Sequence, residues 1–455
     1  MYGKIKKLHF VGIGGIGMSG IAEVLVNMGY EISGSDINES LSTRRLQKLG
    51  IKIFHGHDGA NIEDTDVVVI SSAIGDTNPE LVAAREKNIP VIARAEMLAE
   101  LMRLKYGIAI IGSHGKTTTT SIVSAVLRSG SLDPTIVVGG RVRSLGTNAH
   151  LGKGDFMVVE ADESDGSFQM LSPVISVLTN IDEEHLDHYG SLENLIDSFK
   201  GFIDKIPFYG LAVLCIDCPK VKEISKHYKK RALTYGLTDE ADLYFDNFSA
   251  EGFNTKFDVI YRGENMGPVE LGIPGKHNAL NALAAIGVGF ELGISFEDIK
   301  SALKEFNGIE RRLQLKGEVN DILIIDDYGH HPVEIKTTLR SIEEAFRKKP
   351  VVIFQPHRFS RTQMLFNDFV NVLSDIKTLY VLDIYPAGEK PIEGINSEFL
   401  VQEINRSGTN NAYYIKDIDE LFKHVKSNVN SGDIILTSGA GNVWKHGEEL
   451  LRELQ

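Results

Sequence analysis

Two glycine-rich turns constrain this chain more than any other feature, because each joins a strand-like run to a helix-like one. The first, Gly12-Ile13-Gly14-Gly15-Ile16-Gly17, follows the apolar run Leu8–Val11 and opens a helical pattern over Ile16–Met28 that Gly29 stops. The second, Gly112-Ser113-His114-Gly115-Lys116-Thr117-Thr118, follows Gly107–Ile111 and again opens a helix. A strand feeding a helix through a tight turn is the unit of a parallel sheet, and the alternation continues along the chain. Further strands are expected at Tyr30–Gly34, Val67–Ile70, Ile89–Ile92, Phe156–Glu160, Val174–Thr179 and Leu211–Ile216. A third series follows at Ile322–Asp326, Val351–Gln355, Thr378–Leu382 and Asp433–Thr437, and Asn278–Leu292 reads as a helix. Arg94–Lys105 reads as a charged amphipathic stretch serving as a connector, and residues 240–275 as an antiparallel excursion. The fold class is therefore α/β in three domains. Residues 1–105 form an N-terminal Rossmann-like domain, 106–310 a central domain of P-loop ATPase type with a mostly parallel sheet, and 311–455 a C-terminal Rossmann-like domain.

Composition narrows the class of function. Of 455 residues, 42% are hydrophobic and 24% charged, which suits a folded enzyme and not a disordered chain. A net charge of −14 argues against a general nucleic-acid binder, and no apolar run is long enough for a membrane span. The N-terminal residues lack a secretory pattern, so a cytoplasmic protein is expected. The two cysteines, Cys215 and Cys218, lack the second pair a structural zinc needs and follow a buried strand, so they read as one core and one turn residue.

The first turn carries the dinucleotide spacing, with Asp36 at the end of the next strand where an acid reaches a ribose hydroxyl; it indicates a nucleotide diphosphate without saying which. In the second turn, backbone amides can wrap phosphates, Lys116 can offset β/γ charge and the Thr117 hydroxyl can ligate Mg²⁺. The usual spacing would put a glycine where Ile110 stands, so this loop is shorter than standard. The acid run Glu160-Ala161-Asp162-Glu163-Ser164-Asp165 closes a buried strand, and carboxylates so crowded call for a cation. Thr179-Asn180-Ile181-Asp182 with His185, Asp187 and His188 offers a further cation site, against the plainer reading of packing and surface residues. Asp326-Asp327-Tyr328-Gly329-His330-His331-Pro332 and Gln355-Pro356-His357-Arg358-Phe359-Ser360-Arg361 put cations and donors at strand ends, and Ser438-Gly439-Ala440-Gly441-Asn442 is a third small-residue turn without an evident use.

Taken together, His9–Met18, Gly112–Thr118, Glu160–Asp165, Thr179–His185, Gly275-Lys276-His277-Asn278, Arg311-Arg312, Asp326–Pro332, Gln355–Arg361 and Ala387-Gly388-Glu389 resemble the Mur ligase family, ATP-dependent amide-forming enzymes of peptidoglycan precursor synthesis. The resemblance spans nearly the whole chain, and the Tyr-Gly-His-His-Pro and Gln-Pro-His-Arg strings favour its alanine-adding branch. It implies that the first domain holds UDP-N-acetylmuramate, through Gly14, Gly15, Gly17, Met18, Asp36, His57, Ser71 and Arg94. ATP is expected on Gly112, Ser113, His114, Gly115, Lys116, Thr117 and Thr118, with Asn278 at adenine and Arg312 and Asp327 completing the site. Mg²⁺, two ions by the resemblance, falls to Thr117, Glu160 and His185. L-Alanine is expected at Tyr328, His330, Arg358 and Arg361, and the catalytic set is Lys116, Glu160, His185, His330, Arg358 and Arg361. Cys218 stands where the family commonly carries an acid; Lys200 matches the spacing of a carbamylated lysine in sibling enzymes and is given no role. No nucleic-acid or membrane partner is expected, and the oligomeric state is left open. The competing readings are a ligase that recycles a murein tripeptide onto the same sugar nucleotide, a nicotinamide-dependent oxidoreductase built on the first turn, and a nucleotide-dependent scaffold.

Overall fold

Both glycine-rich turns lie where an open α/β sheet takes its ligands, and the strand order says why. The computed structural model describes residues 5–71, 73–142, 147–408 and 411–455. Lys7–Val11 is the middle strand of a five-stranded parallel sheet in the order Lys52–His55, Glu31–Asp36, Lys7–Val11, Val67–Ile70, Val91–Ala93. The chain winds outward on both sides of that strand, so the turn after it sits at the switch point where a crevice opens. The helix Ile16–Asn27 buries Met18, Ile21, Ala22, Val24 and Leu25 against the sheet.

The second sheet has ten strands, in the order Glu264–Leu271, Asn254–Tyr261, Leu243–Glu251, Ala232–Tyr235, Leu211–Cys215, Ile175–Leu178, Tyr106–Ile111, Phe156–Glu160, Thr135–Val142, Thr147–His150. Tyr106–Ile111 is again central, parallel to both neighbours. The excursion expected over 240–275 is three strands joined by short turns, a connection only antiparallel neighbours allow. The third sheet runs Gln314–Val319, Ile322–Asp327, Ile434–Ser438, Val351–Phe354, Leu379–Val381, Ala412–Tyr414, with only the first strand antiparallel. Its register sets Asp327 and Phe354 on either side of Ser438, so the three C-terminal segments that carry polar strings share one edge.

Residues 94–105 are not a connector. Arg94–Met102 is a helix that buries Met97, Leu98, Leu101 and Met102 in the same core as Leu8 and Ala109. Its charged residues mask an apolar stripe at helical spacing. Two compact units result: Met1–Asn247 with Phe257–Val269 and Leu280–Phe306, and Phe248–Lys256 with Glu270–Ala279 and Asn307–Gln455. Cys215 ends a buried strand as a free thiol; Cys218 caps the helix Pro219–His227, its Sγ accepting from the Ile181 amide at 3.4 Å. Lys200 is exposed. No helix among the described residues is long and apolar enough to cross a membrane.

Candidate active site

The second turn takes a conformation only glycine tolerates. Gly112 and Gly115 have φ of +127° and +81°, and a Cβ at Gly112 would collide with Thr179 Oγ1 and the Asn180 backbone. The loop is fixed from outside: Ser113 N–H donates to Asn180 O (3.1 Å), His114 N–H to Asn180 Oδ1 (2.8 Å), and Asp182 N–H to Ser113 Oγ (2.9 Å). The Thr179–Asp182 string thus acts first as a brace for the loop.

Lys116 Nζ donates to Gly112 O (2.6 Å), Ser113 O (3.1 Å) and Glu163 Oε1 (2.8 Å). Burial pushes the Lys116 ammonium down, but Glu163, Glu160 and Asp162 outweigh it and leave it above its ordinary value. Burial pushes the Glu163 carboxyl up to about 7 against the pull of Lys116. Thr117 Oγ1 donates to Glu160 Oε1 (2.7 Å), whose other oxygen accepts from Gly139 N–H (2.6 Å). Thr117 and Glu160 are therefore in direct contact. His185 instead faces Glu163 (3.7 Å) and Glu184 (3.9 Å), and these three bring ligand atoms within 4.8 Å of one another. The side chain of Asp187 lies outside the described residues.

Asn281 is a residue that sequence reasoning missed: it accepts from Thr119 Oγ1 (3.1 Å) and a Cβ on Gly115 would press within 2.9 Å of its Oδ1. One turn earlier, Asn278 is buried and gives its amide to Pro274 O (2.6 Å). Glu163 was missed as the partner of Lys116, although it lies in the acid run the sequence singles out.

Around the first turn, Gly12 and Ile13 N–H donate to Ser35 O (2.8 and 3.1 Å), and Gly14 N–H to Asp36 Oδ2 (2.9 Å). Any Cβ at Gly14 would lie 2.8 Å from that carboxylate. Ser71 packs against Gly12, and Arg94 against Gly17, where a Cβ would meet Nη1 at 2.9 Å. Arg94 Nη2 also donates to Asp162 Oδ2 (3.3 Å), so this arginine links the first turn to the acid run. Met18 is buried in the core. His57 touches Ser35 and Glu80.

In the other unit, the Arg311 and Arg312 guanidinium carbons stand 5.0 and 5.4 Å from the Tyr328 ring centre, and Arg312 also donates to Glu334 (3.3 Å). His330 and His357 rings lie 5.7 Å apart, His357 stacks on Tyr385, and Arg361 Nη1 donates to His357 Nδ1 (3.2 Å). Burial, then His330 and the nearby arginines, push His357 down to about 4, so it is a neutral ring. Burial likewise pushes His330 down. Arg358 adopts φ +69° at the start of the helix Phe359–Met364. Burial pushes the nearby Glu389 carboxyl up, but hydrogen bonds from Ser360 Oγ (2.6 Å) and Ser360 N–H (3.0 Å), and then the Arg358 charge, outweigh it and hold it below its ordinary value. Asp327 is buried and accepts from Leu313 N–H, Gly329 N–H and Thr338 Oγ1 at 2.8–3.1 Å, so its contacts hold the local chain together. The third small-residue turn gains a partner in Arg311, which bonds the carbonyls of Gly439, Ala440 and Gly441 and the Asp326 carboxylate.

Comparison with known proteins matches the chain in three successive parts. Residues 7–106 match the model of the Mur ligase family catalytic domain, 110–289 the Mur ligase middle domain, and 311–441 the Mur ligase glutamate ligase domain. A UDP-N-acetylmuramate–L-alanine ligase of Geotalea daltonii is 56% identical over 455 residues, covering 100% of this chain and 99% of that one. The Geobacter sulfurreducens enzyme of the same name is 55% identical with the same coverage. The crystal structure of a UDP-N-acetylmuramate–alanine ligase from Thermotoga maritima superposes with a TM-score of 0.84 at 32% identity, covering 98% of each chain. A murein peptide ligase from Psychrobacter arcticus shares the fold, with a TM-score of 0.72 at 22% identity over 99% of this chain and 98% of that one. With three Mur ligase models matched in order along it and relatives of this identity over its whole length, the chain belongs to the Mur ligase family.

Proposed function

We propose that this protein is a cytoplasmic ligase that joins L-alanine to the carboxylate of UDP-N-acetylmuramate with conversion of ATP to ADP and phosphate, through an acyl phosphate. The observation that carries the reading is full-length identity above one half to ligases of that name. Domain bounds of 1–105, 106–310 and 311–455 go with it, for the sugar nucleotide, ATP and the amino acid in turn.

A carboxylate is a poor acyl donor until its oxygen carries a phosphoryl group, and phosphoryl transfer is catalysed chiefly by positioning and charge. Gly112–Thr118 cradles the ATP phosphates, and Lys116 moves its charge from the loop carbonyls and Glu163 to phosphate oxygens. The donor set suits a hard cation: Thr117 Oγ1 and Glu160 are already in contact, and Glu163, Glu184 and His185 converge nearby. Bound there, Mg²⁺, one or two ions, would offset charge on the transferring phosphoryl group. Asn278, Arg312 and Asp327 are assigned to ATP. Gly14, Gly15, Gly17, Met18, Asp36, His57, Ser71 and Arg94 are assigned to the sugar nucleotide. Tyr328, His330, Arg358 and Arg361 are assigned to alanine, whose amine must be neutral to attack the acyl carbon. Phosphate release with ATP, UDP-N-acetylmuramate and either L-alanine or the murein tripeptide tests the reading. Release with alanine is expected; release with tripeptide alone would transfer the chain to the recycling class.

A further inference from the structure

One carboxylate ties together four segments around the first glycine-rich turn. Glu80, fully buried on the first turn of the helix Pro79–Glu86, accepts from Ser35 Oγ (2.6 Å), Asn61 Nδ2 (2.7 Å) and His57 Nδ1 (3.0 Å), and lies 3.4 Å from His9 Nε2. Ser35 in turn offers its backbone carbonyl to the amides of Gly12 and Ile13. Burying a charged carboxylate is costly, and cohesion of a core does not require one. Convergent groups keep this one ionised: burial alone would raise its pKa, but the His9 ring beside it and hydrogen bonds from Ser35 and Asn61 outweigh that and hold it at about 2.

The group this arrangement fixes is His57. An ionised carboxylate only accepts, so the ring nitrogen facing it carries the proton. In the neutral ring Nε2 then keeps its lone pair, and it has no partner among the described residues, on a side chain 15% exposed. His57 follows the strand Lys52–His55 on the sheet edge that also carries Asp36 and the glycine-rich turn. Open α/β sheets take nucleotides along that edge.

We propose that Glu80 is a positioning residue for the sugar nucleotide, locking His57 as its Nδ1–H tautomer so that Nε2 accepts a hydrogen bond from a nucleotide N–H or O–H group. The proposal rests on the reading that this domain holds UDP-N-acetylmuramate. Two donors share the required chemistry, the uracil imide N–H and a ribose hydroxyl; CDP lacks the first and keeps the second. Glu80→Gln preserves shape but removes the charge and turns an NH₂ either towards Ser35 and His57 or towards Asn61 and His9, so the hold on the Nδ1–H tautomer weakens without opening a cavity.

Calorimetric titration of UDP and CDP into the full-length wild type, Glu80→Gln, His57→Ala and the double variant tests this. The UDP dissociation constant should rise roughly tenfold in Glu80→Gln. The KM for UDP-N-acetylmuramate should follow, with far less change in kcat and in the KM for ATP. In the His57→Ala background, Glu80→Gln should add nothing, because its effect passes through the ring. Loss of preference for UDP over CDP assigns the uracil imide; equal weakening of both assigns the ribose hydroxyl. An equal loss from Glu80→Gln with and without His57, or no loss at all, would overturn the proposal. Nitrogen shifts of His57 in the wild type at pH 8 give a check that needs no variant, and an Nε2–H tautomer would overturn it too. A wild type that binds no UDP would instead overturn the assignment of the sugar nucleotide to this domain, and the proposal with it.

Discussion

Lys116 and Glu163 form a nearly buried ion pair whose halves tolerate separation unequally. Glu163 already sits at about 7, so it can take a proton when its partner leaves, whereas nothing replaces the lysine charge at the phosphates. Lys116→Ala should therefore lower turnover by on the order of 10²–10³ or more while leaving the melting temperature within a few degrees and UDP binding intact. Calorimetry with UDP and with ATP, beside a steady-state assay, checks the split; joint loss of both ligands in a folded protein would contradict it. Glu80 gives a prediction of opposite sign. Its folded pKa, about 2, lies below its ordinary 4.5, so the unfolded chain binds the extra proton first. The stability it contributes, about 3 kcal/mol, is present above pH 4.5 and is lost as the pH falls towards 2. The stability gap between wild type and Glu80→Gln should narrow over that window, and denaturation curves at pH 6 and pH 3 measure it. A gap that stayed constant would mean that the carboxylate charge is not the source of the stabilisation.

At the level of elements, the glycine turns were legible because their chemistry is local. A strand, glycines and a helix start can be read from a dozen residues, and Gly112 and Gly115 do take the positive φ that the reading needs. Gly112→Ala should consequently cost about 1–3 kcal/mol in backbone strain, with further loss from displacing Thr179 and Asn180. Its ATP affinity should drop while UDP affinity holds, which equilibrium titration of each nucleotide decides. Elements whose reason lies in distant partners were not legible. The strand Lys52–His55 has only two apolar residues and none fully buried, and it exists because it pairs with Glu31–Asp36. Thr135–Val142 and Thr147–His150 carry too many glycines and polar residues to announce a strand, and pairing with Phe156–Glu160 and with each other supplies the order. Arg94–Met102 looked like a linker because its charges break up the apolar run, yet its other face closes the core. The site follows the same rule. Thr117 and Glu160 could be guessed from adjacency to strand ends, whereas Glu80, Asn281 and Arg311 act across sequence separations that no local pattern encodes.

At the scale of the whole molecule, the proposed function gives charge in the three sheets different tasks, and the proposed amino-acid site is where that assignment is most exposed to test. L-Alanine offers one carboxylate, one amine and a methyl group, so its carboxylate is the only permanent charge a site can grip. In the C-terminal sheet, His357 and His330 are neutral rings pushed down by burial, and Glu389 and Glu334 bring negative charge. The cationic grip must then come from arginine. Arg361 reaches His357 Nδ1, and Arg358 is held at φ +69° by its backbone bond to Tyr385 O (2.8 Å), a strained setting that aims one residue at the expense of local stability. Loss of a charge-assisted hydrogen bond typically costs about 1.5–3 kcal/mol, or roughly ten- to a hundredfold in affinity. Arg358→Ala and Arg361→Ala should each raise the KM for L-alanine by that order, with much smaller changes for ATP and UDP-N-acetylmuramate. Relief of positive φ at Arg358 should make Arg358→Gly at least as stable as Arg358→Ala while leaving alanine binding equally impaired, which separates the backbone role from the charge. Steady-state kinetics with each substrate varied in turn, beside melting curves for the two Arg358 variants, measures both. A KM for alanine that stayed put while that for ATP rose would make these arginines phosphate clamps and move the amino acid to another edge of the sheet.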